Sequence, residues 1–549
     1  MYRGLFNLVK SRIPRISETE LIALRSGSTS LDRDILKGTL NYPKEFKFKP
    51  KAPMDHLDTL LNNFNNEKIY PIDDSKTKID WVSWLAKNRF FSFIIDEKYG
   101  GIKLSTNELS NVITKISSKD PALGVIAMVP NSLGPGELLS HYGTDKQKHD
   151  YLPGLANGSY IPCFGLTGPN NGSDATGSID RGTIVEKDGK LMIKVSLNKR
   201  YITLAPVSNL LGIAFDLKDP DNLLGKQGIT VALVESDYPG IKTDTHHNPL
   251  NVGFPNGTIK GDIYIDLDRV IGGEENIGMG WKMLMECLSA GRGVSLPAAS
   301  NASSKSATFG IYNYIKLRKQ FKLPLEKMEA IQYKFNRMVF DTWIIQSSIK
   351  LTNDILDSGL KPSVISAIMK QQCTERGRDV INHAMDIHGG GAICLGYSNF
   401  LEKYYRGVPI GITVEGSNTI TRSLIIFGQG LNKSHPFIFP VLDSILKDDL
   451  YQFKQSINSL FKHCVKMYFK SFMYQYDKLE SQMVDFANLT NFVAIKGGSL
   501  KREQMLSGDM ADIFSNLYLA NSVRYYQKLY TPSFVLTDWI IDNLLLENQ

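Results

Sequence analysis

The sequence lacks several features that mark common classes of protein. It has no run of about 18 apolar residues and no apolar signal core at its start, so we expect neither a transmembrane helix nor a signal peptide. It has five cysteines, and none is paired at the spacing that a zinc finger or a disulfide scaffold requires: Cys163, Cys287, Cys373, Cys394 and Cys464. We therefore expect reduced, mostly buried thiols in a cytosolic protein and no metal site.

Charge of one sign is also scarce. A formal charge of +7 is modest for 549 residues, and it predicts no nucleic-acid partner. The two basic stretches, 194–200 and 316–322, are short, and we expect them to be solvated faces. Residues 2–12 interleave apolar and basic side chains, as a helix on a membrane surface would. A plain surface helix is the favoured interpretation, and peripheral membrane contact is left open.

Most catalytic signatures are missing as well. The chain has no nucleophile elbow, no P-loop, no paired-His zinc helix and no G-x-G-x-x-G at a strand-to-helix turn. Hydrolase, NTPase and Rossmann-type dehydrogenase functions therefore lose their support.

What is present is the composition of a multidomain globular protein, with 42% hydrophobic and 22% charged residues. Hydrophobic periodicity changes from helical to alternating and back, which predicts an α+β fold. At one helix start Thr144 is the expected cap, and Pro153 the expected end. The predicted segments are an irregular lead-in (1–50), a helical domain (51–159), a β domain (160–274), a helical domain (275–432) and an added helical domain (433–549).

Three polar, glycine-rich segments attract attention. "CFGLTGPNNGSDATG", 163–177, offers hydroxyls at Thr167 and Ser173, and Gly172 permits close approach of a planar ligand. "DIHGGGAI", 386–393, suits a pyrophosphate as well as it suits the end of a helix. Taken alone, an ordinary loop explains the first segment better.

The third segment, "ITVEGSNTITRSLIIFGQG" at 412–430, places one carboxylate, Glu415, between an apolar run and a turn. Apolar neighbours raise the pKa of a carboxylate, which suits a base that works near neutral pH. Taken alone, a helix-capping glutamate is the favoured interpretation.

The order of these three segments is informative when they are taken together with five further motifs. These motifs are "MVPNSLGPGELLSHYGTD", "NKRYITLAP", "GWKMLMECLSAGRG", "RKQFKLP" and "AMDIHGGGAICLG". From about residue 80 to its end the chain resembles the acyl-CoA dehydrogenase family, close to its long bacterial form with an extra C-terminal domain. The resemblance implies an N-terminal helical domain, a central antiparallel β domain and a C-terminal four-helix bundle, with FAD between the last two.

The resemblance also implies roles for individual residues. Glu415 matches the catalytic base, Arg292 matches an arginine near the base and the CoA, and Ser173 is carried over to both cofactor and substrate. Arg318 and Phe321 match residues that meet FAD across a subunit interface, which implies a homo-oligomer, a dimer or a tetramer. The implied cofactor contacts are Phe164, Leu166, Thr167, Gly172, Ser173, Tyr201, Thr203, Arg318, Phe321, Gly389, Gly390, Gly391, Ser417 and Thr419.

The implied reaction is flavin-dependent desaturation of fatty acyl-CoA to trans-2-enoyl-CoA, the first step of β-oxidation, on medium to long chains. The base removes the α-proton, the β-hydrogen leaves as hydride, and an electron-transferring flavoprotein accepts the electrons. The thioester oxygen is held by a flavin hydroxyl and the backbone N–H of the base.

Two departures from the family pattern keep alternatives open. Gly168, Asn170 and Asn171 replace the usual residues of the flavin loop, and the added domain is shorter than in the long bacterial relatives, which predicts an unpaired apolar stripe in "FVLTDWIIDNLLL". The alternatives are an acyl-CoA oxidase and a non-catalytic relative that binds acyl-CoA.

Overall fold

The structure is a computed structural model that describes residues 2–12, 16–47, 52–62, 79–132, 134–245, 247–473 and 477–549. Helices precede a sheet and helices follow it, so the α+β fold class is confirmed. The helices are α1 Tyr2–Arg12, α2 Glu18–Arg25, α3 Leu31–Leu36, α4 Ala52–Asn62, α5 Ile79–Lys87, α6 Thr106–Lys119, α7 Pro121–Met128, α8 Pro135–Tyr142, α9 Asp145–Asn157, α10 Gly280–Leu317, α11 Glu329–Asp357, α12 Ser363–His388, α13 Gly390–Ile393, α14 Glu402–Thr413, α15 Asn418–Ile420, α16 Gly430–Ser434, α17 Ile438–Leu446, α18 Leu450–Lys470, α19 Lys478–Val493, α20 Gln504–Tyr530 and α21 Phe534–Leu546. The strands are β1 Pro162–Gly165, β2 Arg181–Lys187, β3 Lys190–Thr203, β4 Leu210–Lys218, β5 Gly228–Glu235, β6 Lys242–Thr245, β7 Asn256–Asp266, β8 Lys319–Gln320 and β9 Leu323–Pro324.

The chain forms two compact units. We call residues 48–338 and 377–416 the sheet unit, and residues 1–47, 339–376 and 417–549 the helical unit. The five segments proposed from the sequence stay a prediction. They were drawn where the hydrophobic periodicity changes, whereas the two units are defined by which residues contact one another.

The sheet unit is built around a mixed sheet. Its strand order is β1-β4-β2-β3-β7-β6, with β5 paired to β4. The pairs β2–β3, β3–β7, β4–β5 and β6–β7 are antiparallel, as the resemblance implied, but β1 and β2 run parallel to β4. The long connections after β1 and β2 permit this parallel pairing, which a tight hairpin could not make.

The helices of the sheet unit begin at recognisable caps. Thr144 caps α9 through a capping box with Gln147, as predicted, and Ser105 with Glu108 caps α6 in the same way. Pro153 does not end α9, however, because the helix continues to Asn157 and stops before Gly158, which has φ of 80°. Glycine accepts this left-handed conformation at little cost, so Gly158 and not the proline ends the helix.

A second core of the sheet unit is helical. It combines buried side chains from α10, α11, α12 and α14, among them Ile311, Met338, Ile381 and Tyr404. These helices supply the bundle that was predicted after the sheet, and α14 leads directly into Glu415.

The helical unit corrects the expectation of an irregular lead-in. Three helices lie within the described residues 2–12 and 16–47, and Leu31, Ile35 and Leu36 of α3 are fully buried. They share one core with α12, α19, α20 and α21. Phe6 of α1 packs edge-on against Phe453 of α18, so α18 covers part of the apolar face of α1.

The last helix also has a partner. Ile540, Leu544 and Leu545 of α21 are buried in the core of the helical unit, which α20 shares. The apolar stripe that was expected to be unpaired is therefore packed on one side. Across the described ranges, no helix combines the length and apolarity needed to cross a bilayer.

Candidate active site

Glu415 lies at a sharp reversal of the chain, two residues after α14 ends. Its φ is 56° and that of Gly416 is 89°. A left-handed conformation in a glutamate costs about 1–2 kcal/mol, and such strain persists where surrounding contacts hold the backbone. One of these contacts is a hydrogen bond of 3.1 Å from Nε of Arg292 on α10 to the backbone carbonyl of Glu415. The sequence motif alone gave no sign of this strained backbone.

The side chain of Glu415 reaches α10 at a glycine. A Cβ built on Gly291 would lie 3.3 Å from Oε1 of Glu415 and 2.7 Å from Cβ of Ser132. Any side chain at 291 would therefore collide with its surroundings. Gly291 keeps open the space in which the carboxylate lies.

Arg292 is coupled to this carboxylate electrostatically. Burial lowers the pKa of the Arg292 guanidinium, and the nearby negative charge of Glu415 acts in the opposite direction. Arginine side chains in proteins are effectively always protonated, so the guanidinium remains a cation. The site therefore combines a carboxylate with a partly buried cation, whereas the sequence pattern around Glu415 predicted apolar neighbours.

The loop after β1 is organised by one of the residues that depart from the family pattern. Oδ1 of Asn171 accepts a hydrogen bond from the Gly168 N–H at 2.6 Å, and its amide nitrogen donates to the carbonyls of Leu166 and Ala175. Gly172 and Ser173 are exposed next to it. The substitution at 171 therefore gives this loop an internal scaffold of hydrogen bonds.

Tyr201 and Thr203 are turned outward by a β-bulge in β3. Before the bulge the odd-numbered residues from 193 to 199 are buried, and after it Ile202 is buried instead. Tyr201 has φ of 59° and is 56% exposed, and its ring lies 4.6 Å from that of His247. An extra residue in one strand reverses which face its side chains point to.

Lys199 corrects the expectation that the stretch 194–200 is solvated. Its side chain is fully buried, and its amine donates to the carbonyls of Ala214 and Leu166 and lies 3.1 Å from Oδ2 of Asp180. Burial lowers the pKa of Lys199, and Asp180 opposes this effect. The signal was present in the sequence, because 199 is in phase with the apolar positions 193, 195 and 197.

Two further predicted segments are exposed in the sheet unit. Arg318 precedes the hairpin of β8 and β9, whose turn residues Phe321 and Lys322 have φ of 50° and 64°, and Phe321 is 90% exposed. Gly389 follows α12 with φ of 64°, so the glycine-terminated helix predicted at 386–393 is present. Gly389 and Gly390 are also exposed, so the same glycines can end the helix and bind an anion through their backbone N–H groups.

The remaining predicted residues lie deeper or in the other unit. The side chain of Phe164 is packed in the core of the sheet unit, and Leu166 lies at its edge. Ser417 and Thr419 belong to the helical unit, where Ser417 caps α15. Between them, Asn418 is buried and bonds to Lys370, Thr374 and Glu375. Sequence reasoning missed this anchoring residue.

A pocket of about 850 Å³ lies in the sheet unit beside α14. Arg406 on its wall donates to the carbonyl of Asn251 at 2.7 Å, which ties α14 to the segment before β7. Its lining residues are Asn248, Leu250, Asn251, Arg378, Asp379, Asn382, Tyr405, Arg406, Val408 and Pro409. None of them was singled out from the sequence.

The chain is similar to known proteins both in sequence and in fold. Family models described as acyl-CoA dehydrogenase, N-terminal domain; acyl-CoA dehydrogenase, C-terminal domain; and acyl-CoA dehydrogenase, C-terminal, bacterial type match residues 57–159, 278–428 and 474–547. A 3-(aryl)acrylate reductase of Clostridium sporogenes is 28% identical over 376 residues, 67% of this chain and 95% of that protein. An acyl-CoA dehydrogenase of Bacillus subtilis is 27% identical over 373 residues, 67% of this chain and 95% of its own length.

Solved structures show the same fold. The acyl-CoA dehydrogenase of Bacillus anthracis, solved in complex with FAD, superimposes with a TM-score of 0.76 at 20% identity, over 94% of this chain and 90% of that one. Butyryl-CoA dehydrogenase of Megasphaera elsdenii gives 0.61 at 21% identity, over 70% of this chain and all of its own.

Proposed function

This chain belongs to the acyl-CoA dehydrogenase family of oxidoreductases acting on CH–CH bonds, and on that premise we propose that it desaturates fatty acyl-CoA to trans-2-enoyl-CoA with FAD as cofactor. The observation that carries the proposal is the arrangement at Glu415. A carboxylate on a strained turn lies against a glycine of α10, and Arg292 holds its backbone carbonyl.

The residues assigned to FAD fit a flavin in chemistry. Tyr201 and Thr203 are displaced outward from their strand, and Gly172 and Ser173 are exposed on the loop that Asn171 braces. Hydroxyl and backbone N–H groups of this kind are the donors that the ring carbonyls and nitrogens of a flavin require. A Cβ at Gly172 would meet no atom within 4 Å, so the backbone is open to a ligand there.

Glu415 acts as the base in this proposal. Its carboxylate takes the α-proton of the thioester, and its own backbone N–H donates to the thioester oxygen on which negative charge develops. The hydrogen bond from Arg292 to the Glu415 carbonyl fixes the peptide plane and with it the position of the base. FAD, when bound, accepts the β-hydrogen as hydride. The product is the trans-2-enoyl thioester.

The partners follow from the same proposal. We propose that an electron-transferring flavoprotein accepts the electrons and that the reaction is the first step of fatty-acid β-oxidation. The hairpin and the end of α10 before it support a homo-oligomer, because Phe321 is 90% and Leu317 is 81% exposed. A turn with two non-glycine residues in the left-handed region is costly, which favours a role in contact with another subunit.

The experiment that tests the proposal follows product by mass spectrometry. Purified protein is incubated with butyryl-, octanoyl- and palmitoyl-CoA and an artificial electron acceptor, and loss of two hydrogens is measured. We expect activity to rise from the short to the long substrate, and Glu415→Gln to lose nearly all of it while it retains FAD.

The matched control is Glu329→Gln, which changes an exposed glutamate at the start of α11. This variant should match the wild type. A Glu415→Gln variant with most of its activity would refute the assignment of the base. Rapid peroxide formation in air would instead indicate an acyl-CoA oxidase.

A further inference from the structure

Three side chains that commonly bind metals meet between two helices of the sheet unit. Glu137 and His141 lie one helical turn apart on α8, and Cys287 approaches from α10. One ligand atom from each lies within 4.8 Å of those of the other two. The mechanism proposed for Glu415 uses none of these residues.

The spacing of the donor atoms suits a small divalent cation. Bonds of about 2.0–2.3 Å to a tetrahedral zinc ion separate neighbouring ligand atoms by roughly 3.3–3.8 Å. Nδ1 of His141 already lies 3.6 Å from Oε1 of Glu137, and a zinc ion at Nδ1 would replace the hydrogen bond of 3.1 Å that Nδ1 donates to the Glu137 carbonyl. A shift of roughly 1 Å at Cys287 would close the set, which is within the reach of side-chain rotation.

The burial of two ligands and the chemistry of all three favour zinc over magnesium or calcium. Glu137 is 7% and Cys287 is 2% exposed, whereas the side chain of His141 is 42% exposed and leaves a path from solvent. Thiolate with imidazole is a ligand set for zinc, while magnesium and calcium prefer oxygen. Three protein ligands leave the fourth position to water.

We propose that Glu137, His141 and Cys287 bind one Zn²⁺ ion per chain and that this ion joins α8 to α10. The helices are already held at this level, because the Tyr142 hydroxyl donates to the Glu286 carboxylate. Binding releases the proton of the Cys287 thiol, so affinity falls as the pH decreases. Cysteine spacing in the sequence gave no hint of the site, because its ligands come from helices about 150 residues apart.

The site has a structural consequence for the helix that carries Arg292. Cys287 precedes Gly291 by four residues, one turn of α10, and Gly291 is the residue against which the Glu415 carboxylate lies. Zinc therefore fixes α10 one turn before the candidate active site. We expect the zinc-loaded protein to unfold at a higher temperature than the same protein treated with a chelator.

The test is metal retention by the full-length protein. Protein is equilibrated with Zn²⁺, desalted in the presence of a weak chelator and analysed for zinc by mass spectrometry. We expect one equivalent in the wild type and in the control Cys464→Ser, which alters a half-buried thiol of the helical unit. Cys287→Ser and His141→Gln should both lose it. His141→Gln changes a partly exposed side chain, so it keeps the test valid if the buried Cys287 variant folds poorly.

Cobalt provides an independent readout. Co²⁺ in place of zinc should give a thiolate charge-transfer band in the near-ultraviolet difference spectrum of the wild type, and Cys287→Ser should lack this band. Equal zinc retention by the wild type and His141→Gln would identify adventitious binding and overturn the proposal. So would the absence of retained zinc in the wild type.

Discussion

Gly291→Ala offers a sharp test of the geometry around Glu415. The added methyl group would lie 2.7 Å from Cβ of Ser132, and ordinary contact begins near 3.4 Å, so one of the two must move by the difference, 0.7 Å. It would also lie 3.3 Å from Oε1 of Glu415, which must yield by a few tenths of an ångström. The substitution therefore displaces the base without removing it.

The expected effect on stability is small. Overpacking costs about 1–3 kcal/mol, and alanine gains about 1 kcal/mol over glycine inside a helix, so the unfolding free energy should fall by roughly 0–2 kcal/mol. The effect on catalysis is larger, because misplacement of a reacting group by about 1 Å can cost roughly 100-fold in rate. We therefore expect kcat to fall about 10- to 100-fold.

The assay measures kcat, KM and urea unfolding of the variant with its FAD bound. The matched control is Gly377→Ala on α12, where the added Cβ would lie 3.2 Å from Cβ of Ser300. It introduces a milder tight contact with a serine in the same unit, and its kcat should stay within about twofold of wild type. Unchanged kcat in Gly291→Ala would refute the placement of the Glu415 carboxylate against α10.

Three further predictions concern the scaffold. Asn171→Ala removes three hydrogen bonds to the backbone of the loop after β1, so FAD retention on gel filtration should fall, whereas Asn170→Ala at an exposed position should not change it. Lys199→Met leaves Asp180 without its buried cation and should cost about 3–5 kcal/mol in urea unfolding; a loss below 1 kcal/mol would contradict the pairing. His435 accepts two backbone N–H bonds at Nδ1, and burial lowers its pKa to about 4, so its neutral form stabilises the fold. That stability, about 3 kcal/mol, is complete above pH 6.5 and is lost as the pH falls towards 4. The free energy of unfolding in urea should therefore fall less steeply between pH 6.5 and pH 4 in His435→Gln than in the wild type. An identical pH dependence in the two proteins would refute this.

Much of the fold could be predicted because it rests on local patterns. The change of hydrophobic period marked the sheet, and the Thr144 cap is reproduced to the residue. What could not be predicted depends on contacts between distant residues. Lys199 looked like a surface cation, although its position in the alternation of β3 put it inside, where Asp180 and two carbonyls receive it.

The site shows the same division. Glu415 could be identified from its motif, whereas its left-handed backbone and the opening at Gly291 depend on α10, more than 100 residues earlier. The bulge that exposes Tyr201 contains no glycine or proline, so the sequence gives no signal for it. The two compact units could not be foreseen either, because they join early and late segments of the chain.

The most direct test of the proposed function is an anaerobic absorbance titration of the purified protein with palmitoyl-CoA. We predict a bound flavin whose visible band bleaches at one equivalent of substrate in the wild type and persists in Glu415→Gln. Bleaching in Glu415→Gln at the wild-type rate would contradict the role of Glu415. A wild-type flavin that no acyl-CoA reduces, or a protein without flavin, would contradict the proposed activity.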